Sequence, residues 1–138
     1  MKKTILNIVL LGILAGNIAQ AEDLCAVIGF YEPGTHTYDG PTFCQQVSIN
    51  DIVVRGPLNV SQSVITGIAD ISGPINAAKT EFNKIISEDN GSHEKITLKQ
   101  SSVVDHDVIF EGSKPGSVEI DQSSKINGKV VNGTITHI

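Results

Sequence analysis

The chain has no tryptophan, one methionine, two tyrosines and four phenylalanines among its 138 residues. Rings this scarce exclude a core built on large aromatics, so the apolar content falls to Val and Ile, a composition that suits strands. Basic residues are few as well, ten Lys and Arg against fifteen Asp and Glu, for a formal charge of −5. Phosphate neutralisation needs a basic surface, which excludes nucleic acid as a partner. Catalytic signatures are missing too: there is no G-x-S-x-G, no H-E-x-x-H, no Walker loop and no Asp-rich calcium repeat. The chain is therefore read as a non-enzyme, with no cofactor and no metal.

Long apolar runs are absent except at the N-terminus. There Lys2 and Lys3 precede an apolar stretch from Ile5 to Ile18, followed by Ala19-Gln20-Ala21, the pattern of a bacterial secretory signal with a small-x-small cleavage site. The run is shorter than the roughly 20 residues of a membrane span. It is broken by Asn7 and Asn17 and leads into Glu22-Asp23 instead of a basic flank, so cleavage after Ala21 is expected and stable membrane insertion is not. Glu22-Asp23-Leu24 before Cys25 are not the small residues of a lipoprotein signal. The destination is the periplasm or the extracellular space of a Gram-negative-type cell. Loss of Lys2 and Lys3 leaves eight basic against fifteen acidic residues, a formal charge of −7 on one small domain.

Only Cys25 and Cys44 are present. They lack C-x-x-C spacing and a nearby Lys or Arg to depress a thiol pKa, so an exported chain pairs them as a structural disulfide. Closing a loop of this length stabilises the fold by roughly 3 kcal/mol in the chain-entropy account. The enclosed stretch, CAVIGFYEPGTHTYDGPTFC, holds Phe30, Tyr31, Tyr38 and Phe43, four of the six Phe and Tyr, with Pro-Gly and Gly-Pro turn signals between them. The chain divides into a signal peptide at 1–21, a disulfide-closed N-terminal segment at 22–46 and a repeat region at 47–138. Tyr31, His36, Tyr38 and Phe43 are the candidate binding residues, because exposed aromatics carry much of an interface's energy. The competing reading is that these rings plug the first turn of the fold.

The repeat emerges when the chain is cut at Gly56, Gly73, Gly91, Gly112 and Gly133, which lie 17 to 21 residues apart. Each segment opens on an apolar-x-apolar pair: Leu58 and Val60, Ile75 and Ala77, Ile96 and Leu98, Val118 and Ile120. A hydroxyl follows at Ser63, Thr80, Ser101 and Ser123, then an apolar residue at Ile65, Phe82, Val103 or Val104, and Ile126. Short period-2 pulses separated by turn residues indicate strands. A unit this short cannot bury its own apolar face, whereas coiled units stack Leu58, Ile75, Ile96 and Val118 into one internal column. The expected fold is all-β, a short parallel β-solenoid (β-helix) of about four to five turns carrying the disulfide-closed segment. An antiparallel β-sandwich is the alternative. One stretch, Lys79 to Lys84, also suits a short helix.

The apolar-x-apolar pulses and corner glycines between Ile52 and Val131 resemble the rungs of bactofilins, the polymer-forming β-helical proteins of bacteria. That resemblance covers roughly the last two thirds of the exported chain and implies the architecture and a tendency to self-associate, but no site residues. Two functional readings follow. In the first, the chain is a structural or self-associating protein of the envelope or extracellular space, forming a homo-oligomer through the solenoid ends. In the second, it is a secreted module that binds a host protein or a glycan with its aromatic N-terminal segment. Asp105-His106-Asp107 is the densest cluster of candidate cation ligands, since alternation in a strand would turn both carboxylates one way; a solvated strand edge is the competing reading. Carboxylate neighbours such as Glu88-Asp89 do not supply the separation that glycoside chemistry needs.

Overall fold

A computed structural model describes residues 24–138. The expected signal peptide lies outside the described residues. The strands are β1 (Ala26–Val27), β2 (Phe30–Glu32), β3 (Thr37–Asp39), β4 (Thr42–Gln45), β5 (Ser48–Ile49), β6 (Ile52–Arg55), β7 (Leu58–Ser61), β8 (Val64–Ile71) and β9 (Ile75–Ala78). They continue as β10 (Glu81–Ser87), β11 (Lys95–Lys99), β12 (Val103–Val104), β13 (Val108–Phe110), β14 (Gly116–Ile120), β15 (Lys125–Ile126), β16 (Val130–Val131) and β17 (Gly133–His137). A 3-10 turn at Pro33–Thr35 is the only helical element among the described residues.

From β3 onward each strand pairs in parallel with the strand one turn later, so the chain winds as a β-solenoid of about six turns. The first face stacks β4, β7, β9, β11, β14 and β17. The second stacks β5, residues 64–65, residues 81–82, β12 and β15. The third stacks β3, β6, residues 69–71, residues 85–87, β13 and β16. Strands β8 and β10 bend around the corner between the second and third faces. The antiparallel sandwich is not formed: antiparallel pairing is confined to β1 on β4 and β2 on β3. The turn count exceeds the four to five read from the glycine intervals because parallel stacking already begins at Thr37 and β17 adds a further rung.

The columns explain why these sequences coil. Leu58, Ile75, Ile96 and Val118 are in register on the first face, and Val60, Ala77, Leu98 and Ile120 run beside them. Ile49, Ile65, Phe82, Val104 and Ile126 form the second-face column. Ile52, Ala69, Ile85, Val108 and Val130 form the third. No single turn has enough apolar surface to fold alone, but a fully buried Ile or Leu contributes ~1.5–3 kcal/mol once its neighbours in the column are in place. Lys79 to Lys84 is not helical. Lys79 takes a left-handed φ of 51° at the corner, and Glu81 starts a strand that delivers Phe82 to the second-face column. Packing overrides local propensity here.

Hydroxyls tie the first corner together. Ser63 Oγ accepts the Val47 N–H at 3.1 Å, and Ser102 Oγ accepts the Thr80 N–H at 3.2 Å. Ser124 Oγ in turn accepts the Ser102 N–H at 3.0 Å. The inward column is therefore Ser63, Thr80 and Ser102, all buried, and the half-buried Ser124, not Ser101 and Ser123 as the spacing suggested. Earlier turns use one left-handed residue at this corner, Gln46, Gln62 or Lys79, whereas the next uses two, Gln100 and Ser101, which pushes the hydroxyl one position along. At the third corner the turns approach so closely that a Cβ on Gly73 would lie 2.5 Å from the Gly56 carbonyl. Pro57 and Pro74 begin first-face rungs, and their carbonyls accept the Thr42 and Leu58 N–H groups at 2.9 Å.

Candidate functional site

The N-terminal segment is a cap. Disulfide Cys25–Cys44 joins the residue just before β1 to β4 with Cα atoms 4.5 Å apart, and β1 and β2 lie antiparallel on the first turn. Tyr38 is buried in register with Val54, and its ring centroid is 4.5 Å from that of the half-buried Tyr31. Its hydroxyl accepts the Cys25 N–H at 3.1 Å, binding the ring pair to the disulfide. His36 turns the chain after Pro33–Thr35 with a left-handed φ of 50°, and its carbonyl accepts the Val53 N–H at 3.1 Å. Asp39, at the end of β3, pairs with Arg55 Nη1 at 3.2 Å.

Phe43 points outward and is 44% exposed. It sits at one end of a shallow groove of about 700 Å³ along the first face, lined also by Leu24, Asn59, Asn76, Thr97 and Lys99. Of the four candidate residues, then, Tyr31 and Tyr38 meet each other within the cap. His36 serves the backbone turn, and Phe43 faces a different surface.

Asp105-His106-Asp107 is a corner between β12 and β13 and not an alternating strand. Its two carboxylates serve opposite neighbours. Asp107 Oδ1 accepts the Lys129 N–H of the following turn at 2.8 Å. Asp105 hydrogen-bonds Glu81 of the preceding turn; that bond, then Asp105's charge and then burial, hold the Glu81 carboxyl above the ordinary range. Among the described residues, no three His, Cys, Asp or Glu side chains converge as a metal site.

Register gathers other carboxylates that the linear sequence keeps apart. Glu88 is raised, chiefly by its hydrogen bond to Asp70 and then by burial and Asp70's charge, while Glu111 acts the other way. Glu94 is raised by burial and, second, by the charge of Asp89. Asp121 lies at the opposite extreme. The Gln100 N–H, opposed by burial and then helped by bonds from Ser124 and Ser123, pulls it down to about 2. The register of Ser87 with Phe110 is what brings Glu88 beside Glu111, since the two stand at different distances from the glycines that bound their segments, and nothing in the sequence marks Glu94 as an inward residue.

The last described turn has no such cap. Ile126, Val130 and Ile135 belong to the inward columns, yet Ile135 is 44% exposed and the other two are only partly covered. Val131 and Ile138 are exposed beside them. No family model, no curated protein and no solved structure matches the chain, so the stacked turns show a β-solenoid and the comparisons lend no support to a resemblance to bactofilins.

Proposed function

We propose that the chain is an exported, non-catalytic structural protein of the envelope or extracellular space that self-associates through its solenoid ends. The observation that carries this reading is the last described turn, where the inward columns end on Ile126, Val130 and Ile135 and β17 forms the edge of the seven-stranded sheet. An open, uncharged strand edge is a template for strand addition by another chain. Charge favours a second copy as that chain. Residues 24–55 carry Glu32, Asp39 and Asp51 against Arg55, which pairs with the first two, whereas residues 122–138 carry Lys125 and Lys129 with no Asp or Glu. Opposite signs at the two ends suit head-to-tail stacking and oppose joining two like ends.

Light scattering coupled to size exclusion on the oxidised 22–138 protein tests the proposal, with oligomers expected to grow with concentration. Deleting residues 134–138 is the blunter perturbation, because it would uncover Val118 and Ile120 in turn. Ile135→Lys is sharper: an edge lysine blocks strand addition and should return the protein to a monomer. A wild-type monomer at every concentration, or oligomers unaltered by Ile135→Lys, would overturn it.

The second reading, a secreted binding module for a protein or a glycan, draws support from Phe43 and the first-face groove. Phe43→Ala should then abolish binding at an unchanged melting temperature.

A further inference from the structure

The interior of the third corner changes its chemistry in one turn. Beside β13 and β14 that interior is filled by the Phe110 ring, which occupies the space a side chain at Gly116 would need. One turn earlier Ser87 is in register with Phe110. Glu94 is correspondingly aligned with Gly116, because Lys95 pairs with Ser117 and the Glu94 carbonyl accepts the Ser117 N–H at 3.0 Å. The positions held by a ring and a glycine are thus held, one turn earlier, by a hydroxyl and a carboxyl. The swap conserves volume roughly, but it brings polar atoms into the core.

Those atoms are not satisfied. Glu94 is 7% exposed and Ser87 1%, and among the described residues neither Glu94 Oε2 nor Ser87 Oγ has a hydrogen-bond partner. A buried polar atom left alone costs ~1–3 kcal/mol, and more when charged. The ion pairs among the described residues leave Glu94 without a Lys or Arg. Asp89 adds a second carboxylate: its charge acts on Glu94, and its side chain lies against Gly112, held by the Gly91 N–H at 2.9 Å. His93, the imidazole in the same loop, is engaged with the Pro115 carbonyl at 2.9 Å.

We propose that Ser87, Asp89 and Glu94 form a binding site for a hard divalent cation of the Ca²⁺ type. The donors are all oxygen, two carboxylates and a hydroxyl, which selects against the soft metals that prefer nitrogen and sulfur. Ca²⁺ takes 6 to 8 oxygens in flexible geometry, so the exposed loop at 88–93 and water complete its shell. The ion would satisfy both orphaned oxygens and relieve the mutual repulsion of Asp89 and Glu94, fastening the third corner at the turn where a longer loop leaves the solenoid.

Calorimetric titration of CaCl₂ into the oxidised, chelator-treated 22–138 protein near neutral pH, with melting curves in parallel, tests the site. One ion per chain is expected, with a Kd on the order of 10⁻⁴ to 10⁻³ M and a melting temperature that rises with Ca²⁺. Glu94→Gln should weaken binding at least about tenfold by removing a charged ligand. Asp89→Asn, in the exposed loop and harmless to folding, should also weaken it. No heat and no melting shift with millimolar Ca²⁺ would overturn the proposal, as would binding unchanged in both variants, which would assign the ion to carboxylates elsewhere on the surface.

Discussion

At the N-terminal end the two sheets finish on strands that reverse direction; at the C-terminal end they finish on strands that do not. Strands β1 and β2 turn back on the first turn, the disulfide holds β1 in place, and Tyr38 closes the inward columns under Tyr31. Strands β15, β16 and β17 continue the parallel winding and leave Ile135 in the column 44% exposed. The same stacking that stabilises every interior turn therefore makes each end a liability. A solenoid needs a cap because its core is a column and not a closed shell.

The comparison is broken most directly by removing one ring or one branch at each end. Tyr38→Ala leaves a cavity beneath the cap and should cost ~3–5 kcal/mol by chemical denaturation. Ile135→Ala, already half in solvent, should cost less than about 1 kcal/mol. Similar losses at both ends would mean that the C-terminal turn is covered in solution.

Reducing Cys25–Cys44 comes next, at roughly 3 kcal/mol from the freed loop entropy. Hydrogen exchange should quicken first across residues 24–36, while β9 to β14 stay protected. If exchange quickened uniformly instead, the cap and the turns would be one cooperative unit.

The smallest effect is on the pH profile, and it separates the corners. Asp121 sits at about 2 in the fold, below the ~3.9 of an unfolded aspartate, so its contribution is present above that unfolded value and is lost as pH falls toward 2. Glu81, Glu88 and Glu94 are raised, so theirs is present below about 4.3 and is lost as pH rises through the folded values. Stability should therefore peak in weak acid. Asp121→Asn should flatten the acid limb, and Glu88→Gln should lift the neutral one; denaturation midpoints across the pH range report both.

Much of this architecture is visible in the sequence because a solenoid turn is local. Glycine intervals of 17 to 21 residues fall once per turn, and the apolar-x-apolar pairs land in register because every turn must traverse the same three faces. The slip from Ser102 and Ser124 to Ser101 and Ser123 has the same origin. Counting residues assumes equal corners, and Gln100 with Ser101 makes one corner longer. The helical reading of Lys79 to Lys84 failed because local composition is silent on the vacancy that Phe82 fills between Ile65 and Val104. The candidate site was less legible: Tyr38 reads as a binding aromatic until its register with Val54 places it in the core.

By itself the sequence determined the strand content, the turn period, the face each rung buries and the pairing of its two cysteines, since these depend on alternation, spacing and a single choice of partner. Only the tertiary structure decided which end is capped and that Glu94 is turned inward. Capping depends on strand direction, which alternation cannot encode. The inward turn of Glu94 depends on its register with Gly116 of the next turn, which exists only after the chain has gone around the corner.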